Sequence, residues 1–319
     1  MTRVLLAGFG GLGGGQDHQR AMYLPAFQAH PGFTVAGAVG ADDLGVPSYP
    51  DLNTALAESD AEVVSVCLPP GERARAIVAA LRAGRHVLAD KPLALTAEDT
   101  EAVAAAAAES GTVCMPAHHQ RFAPALRSAR TALASGRVGL PWNVQADFLV
   151  AGGDPCPLGE LTNLGVYPVD VVLALTGLPV RRVHARAGDG VTLLLLDHDR
   201  ALTSAIAVGR ITGTADVRPG GLAVHRYRIS GSNGVMNVDA TKPGATLRTA
   251  AGVRTAWTGP DTLARMLTEL HAAITGGRPA EVGPADALAA IRVVEAARRS
   301  LDTGRPVSLS PEHSQEGRK

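Results

Sequence analysis

The chain has no block of like charge: lysine plus arginine number 30, aspartate plus glutamate 30, and neither sign collects in one stretch. That excludes the electrostatic footprint of a nucleic-acid or anionic-membrane binder and leaves a small neutral or mildly polar molecule as the expected partner. Cysteine is scarce. Cys67, Cys114 and Cys156 are far apart and odd in number, which fits neither a disulfide framework nor a paired-thiol zinc site, so no metal is expected and a reducing, cytoplasmic setting is. No apolar run approaches the roughly 20 residues of a membrane span. No charged segment followed by a long apolar one precedes the first strand-like run, so a soluble protein without a secretory signal is predicted. Lysine and arginine are missing altogether from Ala21 through Glu72, a gap that bears on the choice of cofactor.

What is present suggests two domains, since 319 residues exceed the roughly 100 to 200 of a single one. "RVLLAGFGGLGG" opens as an apolar strand and passes directly into glycines. "FTVAGAV", "AEVVSVCLPP", "RHVLAD" and "GTVCMPA" are further runs of strand length, and between the later ones lie the helical "DLNTALAES", "ERARAIVAALRAG" and "LTAEDTEAVAAAAAES". Thr96 followed by Asp99 is a capping-box-like start, and Gly84 a helix stop. Strands alternating with helices predict βαβ units and a doubly wound parallel sheet over residues 1–118. Past about residue 120 come β-rich runs separated by Gly, Asn and Asp turns, then two helical runs, predicting an α/β domain over 119–319 with a mostly antiparallel sheet.

Gly8, Gly10 and Gly13 form G-x-G-x-x-G straight after the first strand. Small residues there permit the tight turn, the approach of a pyrophosphate to the backbone, and close helix-on-strand packing, although a plain glycine turn has the same composition. Leu12 within the motif and Pro69 at the end of "AEVVSVCLPP" are grouped with it as cofactor contacts. Arg20 is placed to neutralise a pyrophosphate and His18 to reach toward a reaction centre; a solvated loop is the alternative for both. The ribose acid expected after the second strand falls on Asp42 or Asp43, behind Gly40. A clamp for the extra phosphate of NADP would have to come from Arg20, Arg73 or elsewhere, which favours NAD over NADP.

"HVLADKPLALT", residues 86–96, ends a buried-strand pattern on a charged pair and a residue without an N–H, so Asp90, Lys91 and Pro92 are expected where the strand leaves its sheet. That edge is where open α/β sheets hold ligands, and a cation there can hold a reacting oxygen and shift its pKa. Together with "GFGGLG", "HHQRFAPAL", "GELTNLGVYPVDVVLALTG" and "ISGSNGVMNVDA", these motifs resemble the glucose-fructose oxidoreductase / inositol dehydrogenase (Gfo/Idh/MocA) family over nearly the whole chain.

The resemblance implies a Rossmann domain followed by an α/β domain whose large open sheet carries substrate on one face and often pairs subunits, as a homodimer or homotetramer, on the other. It implies NAD(P)-dependent oxidation of a sugar, cyclitol or keto-sugar-like hydroxyl, or the reverse. The motif lysine falls on Lys91 and its preceding acid on Asp90; relatives often have the Lys-Pro bond cis. His119 stands where relatives often place Asn near the nicotinamide, and Arg121 matches their Arg. The second catalytic segment falls on Asn163, where Asp is usual, and on Tyr167, implying a tyrosine-type site in which the phenol gives or takes the proton of the substrate oxygen and Lys91 lowers its pKa, so that Lys91 and Tyr167 handle the proton together. Lys91, Tyr167 and Asn163 are thus the catalytic candidates, and Arg121 and Asp170 join them as substrate contacts. Asp170, three residues after Tyr167 on the same predicted helix, reads equally as a helix N-terminal acid. Asn163 and a segment after the second strand too short for the usual helix leave two alternatives: a non-redox lyase, epimerase or glycosidase-like reaction with retained NAD, or a catalytically inactive sensor.

Overall fold

The computed structural model describes residues 1–9, 17–212, 217, 221–241, 245–249, 252–256 and 262–309. Six strands, β1 (Thr2–Ala7), β2 (Phe33–Val39), β3 (Ser48–Tyr49), β4 (Val63–Val66), β5 (His86–Ala89) and β6 (Cys114–Pro116), form a parallel sheet in the order β3-β2-β1-β4-β5-β6. This is the doubly wound order, with its switch point between β1 and β4. Its helices are α1 (Leu24–Ala29), entered through a π-helical turn at Gln19–Tyr23, α2 (Leu52–Glu58), α3 (Pro70–Arg82) and α4 (Ala97–Ser110).

The local reasons are those of the sequence. Thr96 accepts from the Asp99 N–H at the start of α4, and Asp51 from the Thr54 N–H at the start of α2. The stretch after β2 holds no helix before Asp51, as expected, but contributes the short edge strand β3, whose Tyr49 carbonyl accepts from Gly40. Two residues could not have been recognised as a strand by pattern. Alternation along β1 sends Val4 and Leu6 into one apolar cluster and Leu5 and Ala7 into the other.

The second sheet follows a 3-10 turn at His119–Phe122 and α5 (Pro124–Ala134). In chain order come β7 (Pro141–Ala151), α6 (Glu160–Leu164), α7 (Val166–Thr176), β8 (Val180–Ala187), β9 (Val191–His198), β10 (Thr203–Ile211), β11 (Gly221–Gly231), β12 (Gly234–Asp239), β13 (Ala245–Thr249), β14 (Gly252–Ala256), α8 (Thr262–Thr275), α9 (Pro284–Thr303) and β15 (Val307–Ser308). The sheet order is β12-β11-β7-β10-β9-β8-β15, with β13 and β14 a separate hairpin. Its neighbours run antiparallel except β7 with β10.

One face of this sheet is covered by α5, α7 and α9, whose Leu126, Val172 and Val294 share a core with Val144, Val183 and Ile229. The other face leaves Leu193 and Leu195 of β9 more than half exposed. The last two helices return to the first sheet. Met266, Leu267 and Leu270 of α8 pack with Phe27 and Phe33, and α9 lies against α4, where Glu295 accepts from the Ala97 N–H. No helix among the described residues is long and apolar enough to cross a membrane.

Gly8 turns the chain off β1 at φ +99°, and a Cβ there would lie 2.6 Å from the Cys67 carbonyl carbon. Both the backbone conformation and the strand-end contact exclude a side chain. Gly8→Ala is therefore expected to cost about 2 kcal/mol or more of stability, read as a lower urea midpoint.

Candidate active site

The site assembles where β5 leaves the first sheet. Asp90 makes the last ladder contact, its N–H donating to the Val66 carbonyl, and the Lys91–Pro92 peptide that follows is cis. Asp90 is 3% exposed. Its carboxylate accepts from the Tyr23 hydroxyl at 2.7 Å and from Arg73 Nη2 at 3.3 Å, and lies 3.2 Å from His18 Nδ1. Burial alone would raise this carboxyl, yet the His18 bond and the Arg73 and Lys91 charges outweigh it and hold it well below the usual carboxylate range. Arg73, fully buried on α3, also donates to the carbonyls of Leu68, Asp90 and Pro92, so it fixes the backbone on both sides of Lys91.

Lys91 reaches across to the second sheet's helices. Its Nζ donates to the Asn163 carbonyl at 2.9 Å and to Asn163 Oδ1 at 2.8 Å, and stands 4.9 Å from the centre of the Tyr167 ring. Gly165 separates α6 from α7 so that Asn163 and Tyr167 flank one lysine; a Cβ there would meet the Leu161 carbonyl. The lysine is 4% exposed, and burial pushes its pKa down against the pull of Asp90. Lys91, Asn163 and Tyr167, the three catalytic candidates, are thus in one cluster.

Tyr167 corrects one expectation. Lys91 faces the ring rather than the hydroxyl, and burial together with the Asp90 charge pushes the phenol well above its ordinary value instead of lowering it. Phe148 stacks on the ring at 5.4 Å between centroids, and His119 meets it edge-on at 5.5 Å while its Nδ1 lies 2.8 Å from the Thr262 hydroxyl.

Arg121 and Asp170, expected as substrate contacts, bind each other. Arg121 Nε donates to Asp170 Oδ2 at 2.6 Å, its Nη2 also reaches Asp286, and His118 Nδ1 lies 2.8 Å from Asp170 without hydrogen-bond geometry. Asp170 is 1% exposed; burial opposes its charge, but His118 and Arg121 keep its pKa low. Nor is it an N-terminal helix acid with free water access.

At the cofactor edge, Gly10, Leu12 and Gly13 lie outside the described residues. Gly8 sits at the switch point, and Pro69 caps α3 beside it. Arg20, expected at the pyrophosphate, forms two bonds of 2.8 and 2.7 Å to Asp43 with its guanidinium and lies 5.1 Å from the Phe9 ring centre. Asp42 is exposed next to this pair. Arg73, the other cation considered for an NADP phosphate, is taken up by Asp90 and carbonyl groups. With glycine enforced at the switch point and carboxylates at the end of β2, the residues present fit a nicotinamide dinucleotide.

Sequence reasoning underused three groups. His18 is an Asp90 partner rather than a solvated residue, and Tyr23 and Arg73 complete the same cluster. No local pattern marks these contacts; the only signal was a loop histidine close to the glycine motif. Among the described residues His18, Cys67 and Asp90 bring ligand-type atoms within 4.8 Å of one another. Burial pushes the Cys67 thiol up, and Arg73 already occupies the carboxylate, so this trio is poorly suited to a cation.

Residues 2–118 match the profile described as "Oxidoreductase family, NAD-binding Rossmann fold". D-xylose 1-dehydrogenase (NADP(+)) 2 of Haloferax volcanii is 28% identical over 294 residues, covering 84% of this chain and 87% of that protein. Among solved structures, GenD2 from gentamicin A biosynthesis in complex with NAD superposes with a TM-score of 0.81 at 23% identity, covering 97% of each chain. Myo-inositol 2-dehydrogenase from Lactobacillus plantarum gives 0.80 at 15% identity, over 97% of this chain and 99% of that one. Residues 2–118 thus match the NAD-binding Rossmann fold of the oxidoreductase family that the profile describes, and the chain along most of its length is similar to the D-xylose dehydrogenase and shares the fold of the two solved structures.

Proposed function

We propose that the protein transfers hydride between NAD or NADP, bound by residues 1–118, and a hydroxyl or carbonyl of a sugar, cyclitol or keto-sugar-like molecule held by residues 119–319. The observation that carries this reading is the buried Lys91 Nζ, fixed at the carboxyl edge of β5 between Asn163 and Tyr167. The dinucleotide supplies the hydride acceptor or donor. In the oxidation direction the substrate hydroxyl gives up a proton, and Lys91, whose ammonium burial disfavours, takes it; in reduction it returns it. Tyr167, with its raised pKa, stays a phenol and holds the substrate oxygen as a hydrogen-bond donor. Asn163 uses Oδ1 to hold the lysine in place. The dehydrogenases named above act on sugars or cyclitols, which supports that substrate class here.

The Arg20–Asp43 pair and the occupied Arg73 favour NAD. Calorimetric titration of nucleotide-stripped protein with NAD, NADH, NADP and NADPH is expected to show binding of the NAD pair, and a sugar and cyclitol screen to give reduction of NAD. Binding of none of the four would overturn the proposal. Self-association through the outer face of the second sheet is part of the same reading, supported by Leu193 and Leu195 exposed there between buried Leu194 and Leu196.

A further inference from the structure

Behind Asn163 stands a largely buried carboxylate. Glu160 is on the same short helix, one turn earlier, with its side chain only 12% exposed. Its Oε1 accepts from Arg210 Nε at 2.8 Å and from the Cys156 N–H at 3.0 Å, while its Oε2 faces Asn163 Nδ2 at 3.5 Å. Arg210, on β10, is itself tied to the Gly152 carbonyl. A carboxylate drawn this far out of water needs compensation, and one arginine on one oxygen supplies only part of it. The other oxygen is directed along Asn163 toward Lys91.

We infer that Glu160, locked by Arg210, is a positioning residue for Lys91: it turns the Asn163 amide so that Oδ1 faces the ammonium, and it supplies the negative charge that asparagine lacks. An amide has one donor end and one acceptor end, so a carboxylate beside Nδ2 leaves only the oxygen for the lysine. The groups bearing on Lys91 are Asp90 next to it, Arg73 from α3, Cys156 from the loop before α6, Glu160 from α6 and the Tyr167 ring from α7. Of these, Glu160 is the carboxylate that reaches Lys91 through Asn163. The inference rests on the proposed role of Lys91, and the experiment separates the two.

The sequence contains three lysines, Lys91, Lys242 and Lys319. Protein labelled with 13C at the lysine ε-carbon therefore gives a spectrum in which Lys91 is identified by its loss in Lys91→Met, and its titration is followed directly. Glu160→Gln removes a charge that favours the ammonium, so the Lys91 midpoint is expected to fall by about one pH unit. Arg210→Gln removes a cation and frees the Glu160 charge, so the midpoint is expected to rise. General loosening would hydrate the buried lysine and raise its midpoint in both variants, so the fall in Glu160→Gln carries the decision, and where that variant fails to fold Glu160→Ala is measured in its place for the same fall.

A Lys91 midpoint unmoved in the folded variants, or moved the same way in both, would overturn the inference whatever happens to activity. If the midpoints move as expected and the pH profile of kcat moves with them, both readings stand. If the midpoints move and the rate profile does not, Glu160 still positions Lys91, and the proton-handling role of Lys91 falls instead.

Discussion

Replacing Lys91 by methionine is expected to lower turnover by about 10²- to 10⁴-fold, the range associated with loss of a positioned proton-transfer group, while leaving dinucleotide affinity little changed. Methionine keeps the length and apolar stem of the side chain, so the packing against Tyr167 survives and the proton-transferring nitrogen does not. The effect belongs in kcat because Lys91 makes its contacts with Asn163 and Tyr167, on the substrate side, rather than with the end of β2 where the Arg20–Asp43 pair lies. Steady-state kinetics beside a calorimetric titration of the same variant separates the two quantities, and unchanged turnover removes Lys91 from its role. Arginine is not an adequate substitute, since its guanidinium does not release a proton at working pH.

Asp170→Ala is expected to be strongly destabilising, costing about 3–5 kcal/mol. The cost arises from what remains: the Arg121 guanidinium stays buried with Asp286 as its one remaining carboxylate partner among the described residues, and the His118 imidazole stays buried without Asp170. The same cluster reaches Asp286, which accepts from the Gly283 N–H at the start of α9, so the 119–122 turn, α7 and α9 loosen together. Urea unfolding followed by circular dichroism measures the loss. If Asp170 were instead a substrate ligand, the variant would keep its midpoint and show a raised KM, and that result would reverse the reading of this cluster.

The contrast between Lys91 and Asp170 shows what the sequence carried. Asp90-Lys91-Pro92 was legible because a strand pattern that ends on a charge pair and a proline has few structural uses, and the cluster formed where that edge was expected. The capping residue Thr96 was legible because its partner lies three residues away. Arg121 and Asp170 are 49 residues apart in the chain, and Arg73 and Asp90 are 17 apart; each pair looks like available ligand chemistry until the fold brings its members together. The Tyr167 pKa was misjudged for a related reason. Proximity of a lysine to a tyrosine can be inferred from motifs, but whether the cation meets the hydroxyl or the ring face depends on the angle at which α7 follows Gly165.

The return of α8 to the first sheet has a consequence for how the protein is made. All six strands of that sheet lie before residue 117, yet the apolar side bearing Phe27 and Phe33 is covered by Met266, Leu267 and Leu270. During synthesis the nucleotide-binding half therefore emerges first and waits, with an uncovered hydrophobic surface, until α8 has left the ribosome. Its completion is tied to synthesis of α8, so a chain that stops short of that helix leaves the apolar side of the first sheet bare.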